Sequence, residues 1–161
     1  MIPKPAASMR ADDESTQAIE DLIARVRRGL IAAYGIEAGT EAAADAAVWA
    51  WEHRNRLVTM KNPAGYLYRV GQSASRRHRR RATFELPEIA DDADSLVIDP
   101  RLPDALAALT TRQRAAVLLV HAHGYGLTET AAVLGISVSS VRNHLNRGVA
   151  RLRELLGDDH D

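Results

Sequence analysis

The segment from Leu109 to Leu156 leaves this chain few folds to choose from. It reads LTTRQRAAVLLVHAHGYGLTETAAVLGISVSSVRNHLNRGVARLRELL. Thr110 and Gln113 have the T-x-x-Q spacing of a capping box, in which side chain and backbone satisfy each other's free groups at a helix start. Ala116, Val117, Leu118 and Val120 follow as a core stripe that stops at Gly124. A short helix is predicted over about 127–134. Gly135 then offers the positive φ that a tight turn demands of a residue without Cβ. Ser137 can cap a last helix, whose Val138, Val141, Leu145, Val149, Leu152 and Leu156 share one side. Arg142, Asn143, Asn146 and Arg147 fall on the other. A helix, a tight turn and a second, basic helix is the arrangement that lays one helix in the DNA major groove.

The rest of the chain also reads as helix. Ile19, Leu22, Ile23, Val26 and Leu30 keep the i, i+3, i+4 rule from Ser15 to Tyr34-Gly35. Residues 1 to about 14 are polar with two prolines and read as a disordered arm. Thr40 is positioned to cap a second helix to about Arg56, with Ala43, Ala46, Ala47, Ala50 and Trp51 on one face. Asn62-Pro63 marks a third start: asparagine accepts from orphan amides, and proline tolerates the first helical position. Leu67, Val70, Gly71 and Ala74 form its stripe, and the helix is expected to run into Arg76, Arg77, Arg79, Arg80 and Arg81. Residues 82–103 are acidic, carry Pro87, Pro100 and Pro103, and show no sustained period. They read as a linker. The expectation is an all-α chain of two small helical units, residues 15–81 and 104–157, joined by that linker. The second is a helix-turn-helix domain.

Charge is balanced, with 21 Lys plus Arg against 21 Asp plus Glu, but it is segregated. The arginine cluster is followed at once by Glu85, Glu88, Asp91, Asp92 and Asp94. So dense a basic run repels itself unless a polyanion neutralises it. With no cysteine, disulfides and thiolate metal sites are excluded. His121 and His123, two apart on a helix, face different ways and make no metal pair. Gly124-Tyr125-Gly126 follows a helix rather than a strand, so it is no phosphate-binding loop. Neither a nucleophile elbow nor a cofactor box is visible. An enzyme is not expected, and neither a cofactor nor a metal. No apolar run approaches the roughly 20 residues that span a bilayer, so a soluble cytoplasmic protein without membrane insertion is the expectation.

The pieces LTTRQR, AAVLGISVSSVRNHLNRG and ARLREL resemble region 4, the promoter-binding domain of bacterial RNA polymerase sigma factors. AADAAVWAWEHRNRL, NPAGYLYRV and SRRHRRR are similar to region 2 of that family. Two such units with no third between them resemble the small extracytoplasmic-function type. The resemblance implies that region 4 reads the −35 element through Ser137, Ser139, Ser140, Arg142, Asn143, Asn146 and Arg147. It implies that region 2 docks on core polymerase at the β′ coiled coil through Asp45, Trp51 and Glu52, with the β flap as a second contact. It further implies capture of the −10 element and its backbone by Asn62, Tyr66, Arg76, Arg77, Arg79 and Arg80. Promoter DNA, core polymerase and an anti-sigma factor are the partners it suggests. The chain departs from the family pattern at Ala44 and Ala47, where Gln and Phe are usual, at Ser73 for Asn, at Gly126 for Ser or Thr, and at Thr130 for an apolar residue. A different reading is a transcriptional regulator that binds DNA without initiating, either a divergent sigma-like protein or one of the LuxR type, which shares the LT-x-R-x-R entry.

Overall fold

The computed structural model describes residues 6–78 and 99–157, and among them it contains helices and no strand. The first long helix, α1 (Ala6–Tyr34), buries Ile19, Leu22, Val26 and Leu30, the stripe its period predicts. It begins well before Ser15. Residues 6–14, expected as part of a disordered arm, are its first turns, because AASMRADDE has no glycine or proline to interrupt helix propagation. Gly35, at φ 86°, is the single residue between α1 and α2 (Ile36–Glu52). That tight reversal starts α2 ahead of Thr40, which lies inside the helix rather than capping it. Ala38, Ala42, Ala43, Ala46 and Ala50 are the buried face of α2. The helix ends at His53, and a short turn, α3 (Arg54–Leu57), follows where one continuous helix to Arg56 was expected.

Helix α4 (Pro63–His78) starts as the sequence predicts: the Asn62 Oδ1 accepts from Gly65 N at 3.0 Å. Leu30, Leu57 and Leu67 are 0, 1 and 0% exposed at the junction of α1, α3 and α4. Burial of each such side chain contributes about 1.5–3 kcal/mol.

The second half opens with α5 (Leu102–Ala107) and α6 (Thr111–Val117). Both halves of the capping box are present, with Gln113 N donating to Thr110 Oγ1 at 3.3 Å and Thr110 N donating to Gln113 Oε1 at 3.2 Å. Helix α6 widens into a π-helical turn, Leu118–Ala122, which the sequence reading did not anticipate. Gly124 has φ 69° and closes it. Helix α7 (Leu127–Leu134) and helix α8 (Val138–Gly157) complete the second half. Val133 and Val141 are both fully buried at their crossing.

The two halves share one buried cluster. Leu106, Leu109, Val117, Leu118, Leu119, Val133 and Leu134 pack into the same core as Leu22, Val26, Leu30 and Tyr68. Burial pushes the Tyr68 phenol far above its ordinary range, with Tyr34 adding to the effect, so it stays neutral. The acidic linker, except its last residues, lies outside the described residues.

Candidate nucleic-acid interface

Gly135 makes the second helix of the pair possible. Its φ of 64° and ψ of 36° put it in the left-handed region, where a side chain would be strained. Ile136 N reaches back to Ala131 O at 3.1 Å and closes the end of α7. Ser137 then starts α8: its Oγ accepts from Ser140 N at 3.1 Å. The hydroxyls of Ser139 and Ser140 stand 3.0 and 2.8 Å from the same Oγ. The three serines expected at the DNA surface therefore form one hydroxyl cluster at the helix N-terminus, where backbone amides and the helix dipole favour an anion.

Beyond that cluster α8 divides as its period predicts. Val141 is buried, and Arg142, Asn143, Asn146 and Arg147 are exposed along the outward face. His144, between them, is half-buried; burial, then Arg112 and Arg147, hold its imidazole below the usual range. Farther along, Arg151 pairs with Glu154 at 2.9 Å. Val149, Leu152 and Leu156 stay half-buried and, with Arg153, line an open apolar groove. The four outward residues combine guanidinium forks and carboxamides, the side chains that make paired hydrogen bonds to base edges.

In the first half, Asp45, Trp51 and Glu52 are all exposed on α2. Val48, which the sequence reading did not single out, is 59% exposed beside them, an apolar residue at i+3 from Asp45 and i−4 from Glu52. Trp49 turns the other way and stacks on His53 with centroids 4.2 Å apart and planes at 9°. Tyr66 stands 5.0 Å from Trp49, and Arg56 lies over the Tyr66 ring at 5.8 Å. A column of rings with a cation at its end therefore stands beside the start of α4. Asn62 is exposed, yet its carboxamide is engaged twice, by Gly65 N and through Nδ2 to Ala132 O at 3.1 Å. Arg76 is exposed. The side chain of Arg77, and Arg79 and Arg80 altogether, lie outside the described residues.

Arg114, part of LTTRQR, plays a role the sequence reading missed. It is buried, and its guanidinium donates to Ala33 O at 2.6 and 3.2 Å, Leu106 O at 3.3 Å and Ala107 O at 3.2 Å. These carbonyls belong to the C-terminal ends of α1 and α5, where the helix dipole favours a cation. The signal was in the spacing: Arg114 sits at i−3 and i−4 from Val117 and Leu118, inside an apolar stripe. Among the described residues no group of three or more metal-ligating side chains is found. No helix among them is long and apolar enough to cross a membrane.

Residues 100–152 match the family model of sigma-70, region 4. A 76-residue stretch is 43% identical to the RNA polymerase sigma-E factor of Streptomyces coelicolor, covering 46% of this chain and 43% of that protein. Over 148 residues, 92% of this chain and 67% of the relative, identity to the ECF RNA polymerase sigma factor SigM of Mycobacterium tuberculosis is 28%. Over most of its length the chain is similar to ECF RNA polymerase sigma factors. Its fold is that of the sigma factor RpoE from Bartonella quintana, solved with the anti-sigma factor NepR, at a TM-score of 0.60 and 20% identity over 90% of this chain and 98% of that one. CnrH, solved with the cytosolic domain of CnrY, gives a TM-score of 0.56 at 27% identity, covering 89% of this chain and 90% of that one. The matched stretch spans less than half the length of the sigma-E relatives.

Proposed function

We propose that this chain is a promoter-specificity subunit of RNA polymerase, active as two helical units, residues 15–81 and 104–157, tethered by the acidic stretch 82–103. The observation that carries the reading is the outward face of α8, where Arg142, Asn143, Asn146 and Arg147 stand free of the core on a helix fixed by Gly135 and Ser137. In this reading α8 enters the major groove at the −35 element. Ser137, Ser139 and Ser140 receive a backbone phosphate at the helix N-terminus.

Both units supply the other contacts. Asp45, Val48, Trp51 and Glu52 form a docking face in which acidic side chains border an apolar centre, suited to a basic helical partner such as the β′ coiled coil. The groove of Val149, Leu152 and Leu156 receives the β flap. Asn62 and Tyr66 engage the unpaired −10 strand, and Arg76, Arg77, Arg79 and Arg80 neutralise its phosphates. An anti-sigma factor is a further partner, because RpoE, whose fold this chain shares, was solved with one. The reading gives the chain no catalytic chemistry of its own and a site of action in the cytoplasm, where polymerase is.

The test is in vitro transcription with core polymerase on a genomic promoter library. The expected result is initiation from a subset of promoters that share an upstream element. Core polymerase that starts no better with the chain than without it contradicts the proposal and favours a regulator that binds DNA without initiating.

A further inference from the structure

Along α8, Ser140, His144, Arg147 and Arg151 recur at spacings of four, three and four, so they form one stripe on the flank between the outward face and the core. Helix α6 lies against this flank. A Cβ on Gly148 would stand 2.8 Å from Val117 Cγ2 and 3.4 Å from Gln113 Cβ, so the two helices nearly touch there. Arg112, next to Gln113, is thereby brought near enough to His144 to act on its charge. Arg112 and Arg147 are exposed, and neither makes a hydrogen bond or ion pair among the described residues. His144 is half-buried, and its imidazole has no hydrogen-bond partner among them either. Three basic groups from two helices thus converge, and the acids nearby are occupied or face elsewhere. Glu154 pairs with Arg151 at 2.9 Å. Asp104 belongs to α5, which meets α8 at its far end, where Arg101 donates to Leu156 O. Glu129 of α7 lies in a cleft with Asp21 and Arg25 of α1. Helix α4 carries no acid, and its Tyr68, which Arg112 also reaches, stays neutral. Arg114, the other cation of α6, points away to Ala33 O.

The geometry points to a proton-linked site for a DNA backbone phosphate, made by Arg112, His144 and Arg147 beside the base-reading face of α8. The site rests on the proposed function, which puts α8 in the major groove. There the flanks of the helix face the phosphates that wall the groove, while its outward face meets the bases. In the free chain burial, and then Arg112 and Arg147, disfavour the imidazolium, so near neutral pH His144 meets DNA uncharged. A phosphate among the three groups reverses the balance, because an opposite charge a few ångströms away favours the charged ring. The imidazolium and the two guanidiniums then donate to phosphate oxygens, and solvent supplies the proton. Binding takes up that proton, so affinity rises as pH falls. The effect is confined between the pKa of His144 in the free chain and its higher pKa in the complex. Within that window affinity changes by up to about tenfold per pH unit. Above it the two arginines hold the phosphate alone. The grip on duplex DNA therefore tightens on acidification, on every sequence alike.

The experiment uses the full chain and a short fluorescent duplex of arbitrary sequence, because a phosphate contact needs no particular bases. Anisotropy titrations at pH 5.5 and pH 7.5, at fixed ionic strength, compare the parent with His144→Gln, neutral at both, and His144→Arg, charged at both. The ratio of the two affinities should be about threefold to tenfold larger in the parent than in either variant. At pH 7.5 His144→Arg should bind more tightly than the parent, and at pH 5.5 His144→Gln should bind more weakly. Arg112→Gln should reduce the slope of log affinity against log salt by about one. Equal pH ratios in the parent and both variants overturn the proton linkage. An unchanged salt slope in Arg112→Gln overturns the shared site, as does a parent that binds no duplex at pH 5.5. If circular dichroism shows that His144→Gln does not fold, His144→Arg carries the same comparison. All readouts are made without polymerase, so failure of the sigma-factor reading shows separately, as failure to direct core polymerase.

Discussion

Replacing Arg114 with methionine removes a buried cation and keeps much of its volume. The guanidinium now satisfies Ala33 O, Leu106 O and Ala107 O, at 2.6–3.3 Å. Each hydrogen bond to a charged group contributes about 1.5–3 kcal/mol, and each carbonyl left unpaired in the interior costs about 1–3 kcal/mol. Against this stands the cost of burying the cation itself, several kcal/mol, which the substitution relieves. Burial is also what holds the Arg114 pKa below its ordinary value. The opposing effects leave a net destabilisation of about 2–4 kcal/mol. With a urea m-value of roughly 2 kcal/mol/M, the unfolding midpoint should fall by about 1–2 M. Arg114→Lys keeps the charge but lacks the planar fork, and one ammonium does not reach carbonyls on two helix ends at once, so it should recover only part of the loss. Urea unfolding followed by circular dichroism makes the measurement. A methionine variant within about 0.5 kcal/mol of the parent would refute the reasoning, since surface substitutions commonly stay within that margin.

Thr130 is fully buried and its hydroxyl has no hydrogen-bond partner among the described residues, so Thr130→Val should stabilise the protein by about 1 kcal/mol; an unchanged or lower melting temperature would mean the hydroxyl is satisfied. Gly135→Ala should cost about 1–2 kcal/mol for the left-handed backbone alone, and more through contact with Gly65; thermal unfolding at the parent's temperature would contradict this. Burial, and then Arg28, lowers the pKa of His123, whose Nε2 is buried without a partner among the described residues. Such an imidazole takes up its proton on unfolding, so stability is full above the unfolded value of about 6.5 and is lost as pH falls from there toward the folded value. His123→Gln should therefore reduce the difference in urea midpoint between pH 7.5 and pH 5.5. Equal slopes in parent and variant would assign that dependence to His144 or to carboxylates.

Helix by helix, local chemistry decided what could be read from the sequence. The start of α4 at Asn62-Pro63, the capping box at Thr110 and Gln113, the turn at Gly135 and the start of α8 at Ser137 each depend on residues within a few positions. All are found as expected. Thr40 misled because it is a good capping residue, yet Gly35 reverses the chain earlier and leaves it mid-helix. The π-helical turn at Leu118–Ala122 was not legible, since its apolar run reads the same in an α-helical turn. The outward face of α8 was legible because its period separates Val141 from Arg142, Asn143 and Asn146. The engagement of Asn62 with Ala132 was not, because it joins residues 70 positions apart and depends on how two whole units meet.

The most direct measurement is the affinity of the holoenzyme for promoter duplex and for duplexes with single base substitutions in the upstream element, with the parent chain and with Asn143→Ala. If Asn143 bonds a base edge in two places, the parent should discriminate by about 1–3 kcal/mol at one position, and the variant should lose that preference there while keeping it elsewhere. If the variant weakens binding equally on every duplex, or leaves the pattern of preferences intact, the outward face of α8 does not read sequence and the account is wrong at its centre.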